Sequence, residues 1–217
     1  MTTERKPMTS PANGELWGAR ATDWANIQEG VCRGVFERML AHTSVGQGTA
    51  YLDAGCGAGG AARIAAARGA RVTGLDAAEN LLAIARQRVP SADLRVGDLE
   101  SLPFADASFD VVTGFNSFQY AGNPQVALAE AKRVTKPGGR VVIMTWGTPE
   151  GMQAATLVAA LRPLMPPPPP GAPGPFALSD ETAIKSFATS AGLTPIDVID
   201  VDCPWHYADL GTALRGL

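Results

Sequence analysis

The sequence predicts an α/β fold: a doubly wound, mostly parallel sheet with helices on both faces. Three observations predict it. Short apolar runs rich in branched residues alternate with helical patterns over most of the chain, which is how strand–helix–strand units read. The first run ends in the glycine-rich turn Tyr-Leu-Asp-Ala-Gly-Cys-Gly-Ala-Gly-Gly, Tyr51 to Gly60. Three runs end on an acidic residue, at Asp53, Asp76 and Asp98, and in such sheets ligands sit beyond the carboxyl ends of the strands.

The elements follow in order. Residues 1–13 contain Pro7 and Pro11 and read as disordered. Leu16 to Leu40 repeats Trp17, Trp24, Ile27, Val31 and Val35 at helical spacing, giving one or two helices. Strand one is Thr49 to Asp53, and the helix Ala58 to Arg68 closes at Gly69. Strand two, Arg71 to Leu75, ends at Asp76; the next helix, Glu79 to Arg88, is stopped by Val89-Pro90. Leu94 to Val96 and Phe109 to Gly114 are strands three and four. Asn123 and Pro124 open a helix that runs to Thr135. Lys136-Pro-Gly-Gly is a turn before strand five, Arg140 to Thr145. Pro163 to Pro175, with five consecutive prolines, is neither helix nor inner strand and reads as a connector or a lid. A helix from Ser179 to Ala191 and an outer strand, Leu193 to Val201, complete the pattern, and Asp209 to Leu217 starts another helix. The resulting division is a disordered 1–13, a helical cap 14–48, a core 49–162, a Pro-rich 163–178 and a C-terminal helix and strand 179–217.

Composition narrows the function. With 217 residues and 46% hydrophobic content, the chain can bury one substantial core. A net charge of -3 argues against a phosphate-backbone binder, which needs a basic face. Cys32, Cys56 and Cys203 have no metal-site spacing and suggest free thiols; no metal site is expected. No signal-peptide pattern and no long apolar run are present, so a cytoplasmic location is expected.

The glycine turn lets a backbone approach a ligand closely and aims the N–H groups of a helix at it. Gly55, Gly57 and Gly60 satisfy G-x-G-x-x-G, while Gly55, Gly57 and Gly59 satisfy G-x-G-x-G. Asp53 separates the two readings. A carboxylate there suits an ammonium group and sits badly beside a pyrophosphate, which favours S-adenosylmethionine over a nicotinamide cofactor.

The segments Leu-Asp-Ala-Gly-Cys-Gly-Ala-Gly, Val-Thr-Gly-Leu-Asp76, Gly97 to Val112 and Arg133 to Arg140 together resemble the class I S-adenosylmethionine-dependent methyltransferases. The resemblance is to the small-molecule type that includes ubiquinone and menaquinone methyltransferases. It implies a Rossmann-like sheet and an enzyme that transfers a methyl group to an O-, N- or C-nucleophile by in-line displacement, leaving S-adenosylhomocysteine. It also implies roles. Asp53, Ala54, Gly55, Cys56 and Gly57 would lie against the methionine part of the cofactor. Asp76 would bind the ribose hydroxyls, Ala77 would flank the adenine, Asp98 and Leu99 would meet the adenine amino edge, and Phe115 or Asn116 would approach the methionyl group. Trp24, Gln119, Tyr120 and Trp146 are candidate substrate-wall residues, and His206 is the candidate base. The family's usual seventh, antiparallel strand is not visible and is missing or truncated, which exposes a sheet edge for a homodimer; a monomer is the alternative. Partners other than the small substrate, whether nucleic acid or membrane, are not expected. A module that binds the cofactor without turnover is the alternative function.

Overall fold

The computed structural model describes residues 10–153, 155–161, 163 and 176–216. Five parallel strands form one sheet in the order β3-β2-β1-β4-β5, with β1 Ala50–Ala54, β2 Arg71–Asp76, β3 Asp93–Val96, β4 Phe109–Phe115 and β5 Thr135–Met144. The order reverses between β1 and β4, whose registers pair Tyr51 with Val111 and Asp53 with Thr113. Such a reversal opens a crevice above the carboxyl ends of the strands.

Around the sheet run α1 (Ser10–Gly18), α2 (Ala21–Asp23), α3 (Arg33–His42), α4 (Gly60–Ala67), α5 (Glu79–Arg88), α6 (Pro124–Val134), α7 (Ala155–Leu161), α8 (Glu181–Ser190) and α9 (Leu210–Gly216). Between α2 and α3 the chain stays helical with altered pitch: a π-helical stretch, Trp24–Gln28, and a 3₁₀ turn, Glu29–Cys32. On one face of the sheet Leu52, Leu75, Val112, Phe118, Leu128 and Val134 are fully enclosed. On the other, Tyr51, Val72 and Val111 pack with Ala62, Ala65 and Leu40. The small side chains of α4 let it lie close on β1, and Asn123 caps α6 by accepting from Val126 N.

Several expectations need correction. Residues 10–13 are helical, not disordered, because Pro11 stands in the first turn of α1, where its missing N–H costs nothing. β5 begins at Thr135 rather than Arg140: Thr135 already pairs with Phe109, and a register shift before Val111 absorbs Gly138 at φ 78°. Leu193 to Val201 is extended but joins no ladder. Ile196 and Val198, whose alternation suggested a strand, are exposed, and further along the tail Val201 and Cys203 turn to the core while Asp202 and Pro204 face solvent. Among the described residues there is no sixth or seventh strand, and the outer edge of β5 has no strand partner. The Pro-rich stretch, apart from Pro163, Phe176, Ala177 and Leu178, lies outside the described residues. No described helix is long and apolar enough to cross a membrane.

Gly114 shows how tightly β4 is packed. A Cβ there would lie 2.1 Å from the ring of Phe118, itself fully buried. Gly114→Ala should therefore destabilise the fold by about 1–3 kcal/mol, read as a lower urea midpoint with an unchanged slope.

Candidate functional site

The turn after β1 is shaped by glycines that a larger residue cannot replace. Gly55 and Gly57 have φ of 81° and 53°, and a Cβ on Gly55 would lie 2.4 Å from the Cβ of Ser117. The turn is tied to the neighbouring strand, since the N–H groups of Gly55 and Cys56 both donate to Leu75 O, at 2.7 and 3.0 Å. Ser117, at the end of β4, donates from its hydroxyl to Ala54 O at 2.7 Å. The three central strand ends are thus joined before any ligand is considered.

A cleft lies over these ends. Its floor is Gly55, Gly57, Phe115 and Asn116; one side carries Asp76, Ala77 and Leu81, and the far end Gly97, Asp98 and Leu99. Ser10, Asn13, Trp17, Trp24 and Tyr120 cover it. The cover is anchored: Asn13 Nδ2 donates to Tyr120 O at 2.9 Å, and a Cβ on Gly14 would come within 2.5 Å of Ala77 O. Trp17 packs edge-on to both Trp24 and Tyr120, with ring centres 5.2 and 5.6 Å apart.

The two carboxylates of the cleft differ. Asp76 accepts from Gly57 N through Oδ2 and from Ala78 N through Oδ1, both at 2.8 Å. Burial raises its pKa, and those N–H groups work against the rise. Asp98 accepts from Glu100 N at 2.9 Å through Oδ1, but its Oδ2 is buried without a partner. A buried acceptor left open at a cleft wall fits a ligand that brings an N–H donor.

Residues 52–143 match the family model described as a methyltransferase domain. Curated relatives include a malonyl-[acyl-carrier protein] O-methyltransferase of Serratia marcescens, 42% identical over 52% of this chain and 44% of its own length. A demethylmenaquinone methyltransferase of Renibacterium salmoninarum is 39% identical over 52% and 48%. The chain spans about half the length of these relatives. A solved SAM-dependent methyltransferase from Aquifex aeolicus shares the fold, with a TM-score of 0.66 at 19% identity over 84% of this chain and 93% of that one.

Of the residues singled out in the sequence, Gly55, Gly57, Asp76, Ala77, Asp98, Leu99, Phe115, Asn116, Trp24 and Tyr120 line the cleft. Asp53, Ala54 and Cys56 do not. Asp53 is only 1% exposed and points into the interior, where Thr113 Oγ1 donates to it at 3.1 Å and Tyr51 contacts Thr113 at 2.6 Å. The expected contact of Asp53 with an ammonium is therefore corrected: the carboxylate stands behind the turn, on the strand face covered by α4. Ala54 is fully buried, and the Cys56 side chain lies against Gly74 beneath the turn.

Gln119 is buried behind the wall rather than on it. Its Nε2 donates to Asn116 Oδ1, and its own Oε1 has no partner. Asn116 is held at φ 55°, with its N–H donating to Met144 O at 3.0 Å. Trp146 also stands behind the wall, against Tyr120 and Trp205. His206 is exposed on the C-terminal tail and does not reach the cleft, so it is no base for chemistry there.

Sequence reasoning missed Glu29. It is buried at 7% exposure, accepts from Gly60 N at 3.1 Å and pairs with Arg88 at 2.5 Å. Arg88 also donates to Ala58 O and Ala25 O. The pair fastens the cover segment to the start of α4. Burial raises the Glu29 pKa, and the Arg88 charge opposes the rise. Removing one partner of a buried pair strands the other. Glu29→Ala should cost about 3–5 kcal/mol, and the double variant Glu29→Gln, Arg88→Met should recover part of it in urea titrations.

Asp53 has its pKa pushed up to about 7, chiefly by burial, with the Thr113 hydroxyl opposing and the charges of Glu29 and Asp76 adding to the rise. The unfolded chain releases this proton near the ordinary carboxylate value, and the folded chain keeps it. Stability therefore falls as pH rises between the two values, and the loss is complete above the folded one. Between about pH 5 and about pH 8 the wild type should lose about 2–3 kcal/mol through this group. Asp53→Asn should flatten that dependence; an identical slope would show that the carboxyl does not titrate there.

Proposed function

We propose that this protein transfers a methyl group from S-adenosylmethionine to a small-molecule acceptor with an O-, N- or C-nucleophile. The observation that carries the reading is the open acceptor on Asp98, buried at one end of a cleft whose other end is a glycine turn with nothing but backbone to offer. A group with an amino-bearing base at one end and a methionyl chain at the other suits that pair. In this reading Gly55 and Gly57 admit the methionyl part, Asp76 receives the ribose hydroxyls on its remaining lone pairs, and Asp98 Oδ2 takes the adenine amino group. Ala77 and Leu81 supply the apolar flank, with Leu99 beside the amino edge. Residues 14–48 act as the cap and 49–162 as the cofactor core.

When bound, the cofactor supplies a methyl group already activated on a sulfonium. The chain's own work is then alignment and exclusion of water. Trp17, Trp24 and Tyr120 form the apolar cover that does both, and the fixed carboxamide of Asn116 gives the acceptor a polar contact. Among the described lining residues no histidine or lysine is present. That composition favours an uncharged, partly apolar acceptor whose nucleophile needs little help in losing a proton.

Asp98→Asn tests the cofactor assignment. Either orientation of the new amide presents an N–H₂ to a donor, the Glu100 N–H on one side or the adenine amino group on the other. Calorimetric titration should show affinity for S-adenosylmethionine and S-adenosylhomocysteine lowered together by about 10–100-fold, with circular dichroism unchanged. Undiminished affinity would remove Asp98 from the site. Formation of S-adenosylhomocysteine with a panel of small acceptors then separates an enzyme from a module that only binds the cofactor.

A further inference from the structure

The chain after α8 runs alongside α3 and the helical turns before it, in the opposite direction. Asp197 meets His42 at 3.1 Å, the carbonyl of Asp202 faces Gly34, and the Tyr207 hydroxyl donates to Gln28 Oε1 at 2.9 Å. Between the last two contacts this course packs Cys203 against the buried cluster that holds Cys32. Cys32 is buried among Val35, Phe36 and Phe115, and Cys203 packs on the same cluster while remaining partly open to solvent. Two thiols from opposite ends of the sequence thus share one site, and neither has a role in the cleft.

We propose that Cys32 and Cys203 are a modification site: they close to a reversible disulfide by exchange with a small-molecule disulfide. The bond fastens the C-terminal tail to the helical segment that carries Trp24 over the cleft.

The two thiols have different parts in the exchange. Cys203 is the accessible one, and the neighbouring Cys32 thiol lowers its pKa, so it supplies the thiolate. Cys32 is held protonated by that same neighbour and by burial. Cys203 Sγ attacks one sulfur of the small disulfide, and the other sulfur leaves as a thiolate, which takes up a proton. Cys32 then loses its proton to solvent and attacks Cys203 Sγ, expelling the second small thiolate. One protein disulfide forms, one small disulfide is reduced to two thiols, and the two cysteine protons end on them. Cys56 takes no part, since its thiol is enclosed beneath the glycine turn and burial holds its pKa well up. A bond between positions so distant in sequence closes residues 32–203 into a loop, which restricts the unfolded state.

The test is incubation of the full chain with oxidised glutathione, followed by intact-mass measurement and non-reducing peptide mapping. The expected product has lost two hydrogens, joins the Cys32 peptide to the Cys203 peptide, reverts with dithiothreitol and melts several degrees above the reduced chain. Cys32→Ser should stop at a glutathione adduct on Cys203. A wild-type chain that stays reduced, keeps a stable glutathione adduct on Cys203, or cross-links through Cys56 overturns the proposal, and these readings need no variant to fold. Equal melting of oxidised and reduced protein overturns the fastening.

Discussion

The carboxylate of Asp76 holds two separate pieces of backbone at once. One oxygen takes the N–H of Gly57 from the turn after β1; the other takes the N–H of Ala78 at the start of α5. Each bond is charge-assisted, and each uses one lone pair of an oxygen that has two. The glycine turn and the entry to α5 are the two walls nearest the ribose in the proposed cofactor pose. Their separation is set by the Asp76 side chain together with the bonds from the Gly55 and Cys56 N–H groups to Leu75 O. The cleft is therefore formed before a ligand enters, and little ordering is left for binding to accomplish.

Behind that wall the protein buries more charge than its small apolar core would suggest. Asp53, Asp76 and Glu29 are close enough for each to feel another, and only Glu29 has a cation beside it. Thr113 and Tyr51 satisfy Asp53 partly, by a chain of hydroxyls. Burial wins over these bonds, which is why the acid titrates near neutrality. The Glu29–Arg88 pair does different work: it closes the gap between the helical cover and the N-terminus of α4, where a carboxylate also meets the favourable end of the helix dipole. Cover and core are thus tied by a charged contact as well as by the aromatic packing of Trp17 and Trp24.

What could be read from the sequence was local. The run from Tyr51 to Gly60, the acid after β2 and the acid after β3 each announce themselves within ten residues, because strand, turn and helix signals are short-range. What could not be read depends on direction or distance. β1 is buried on both faces, so nothing in its pattern tells which face Asp53 takes. Glu29 and Arg88 meet only once α5 has packed against the cover. Pro11 looked like a breaker because a first-turn proline and a loop proline are the same letter. Leu193 to Val201 alternates as a strand does, yet a strand needs a partner edge, and here Ile196 and Val198 stay exposed, paired to no edge.

The π-helical stretch Trp24–Gln28 has a consequence for how the cover is built. A π turn is an α-helix with one residue too many, and each residue advances an α-helix by about 100°. The surplus residue therefore sets the angular position of everything before it relative to α3. Taking it out would restore ordinary pitch and swing Trp24, Trp17 and the whole of α1 around the helix axis, away from the strand ends. The aromatic roof over the cleft is in that sense a matter of counting: its direction is fixed by the length of a five-residue segment of which Trp24 alone lines the cleft.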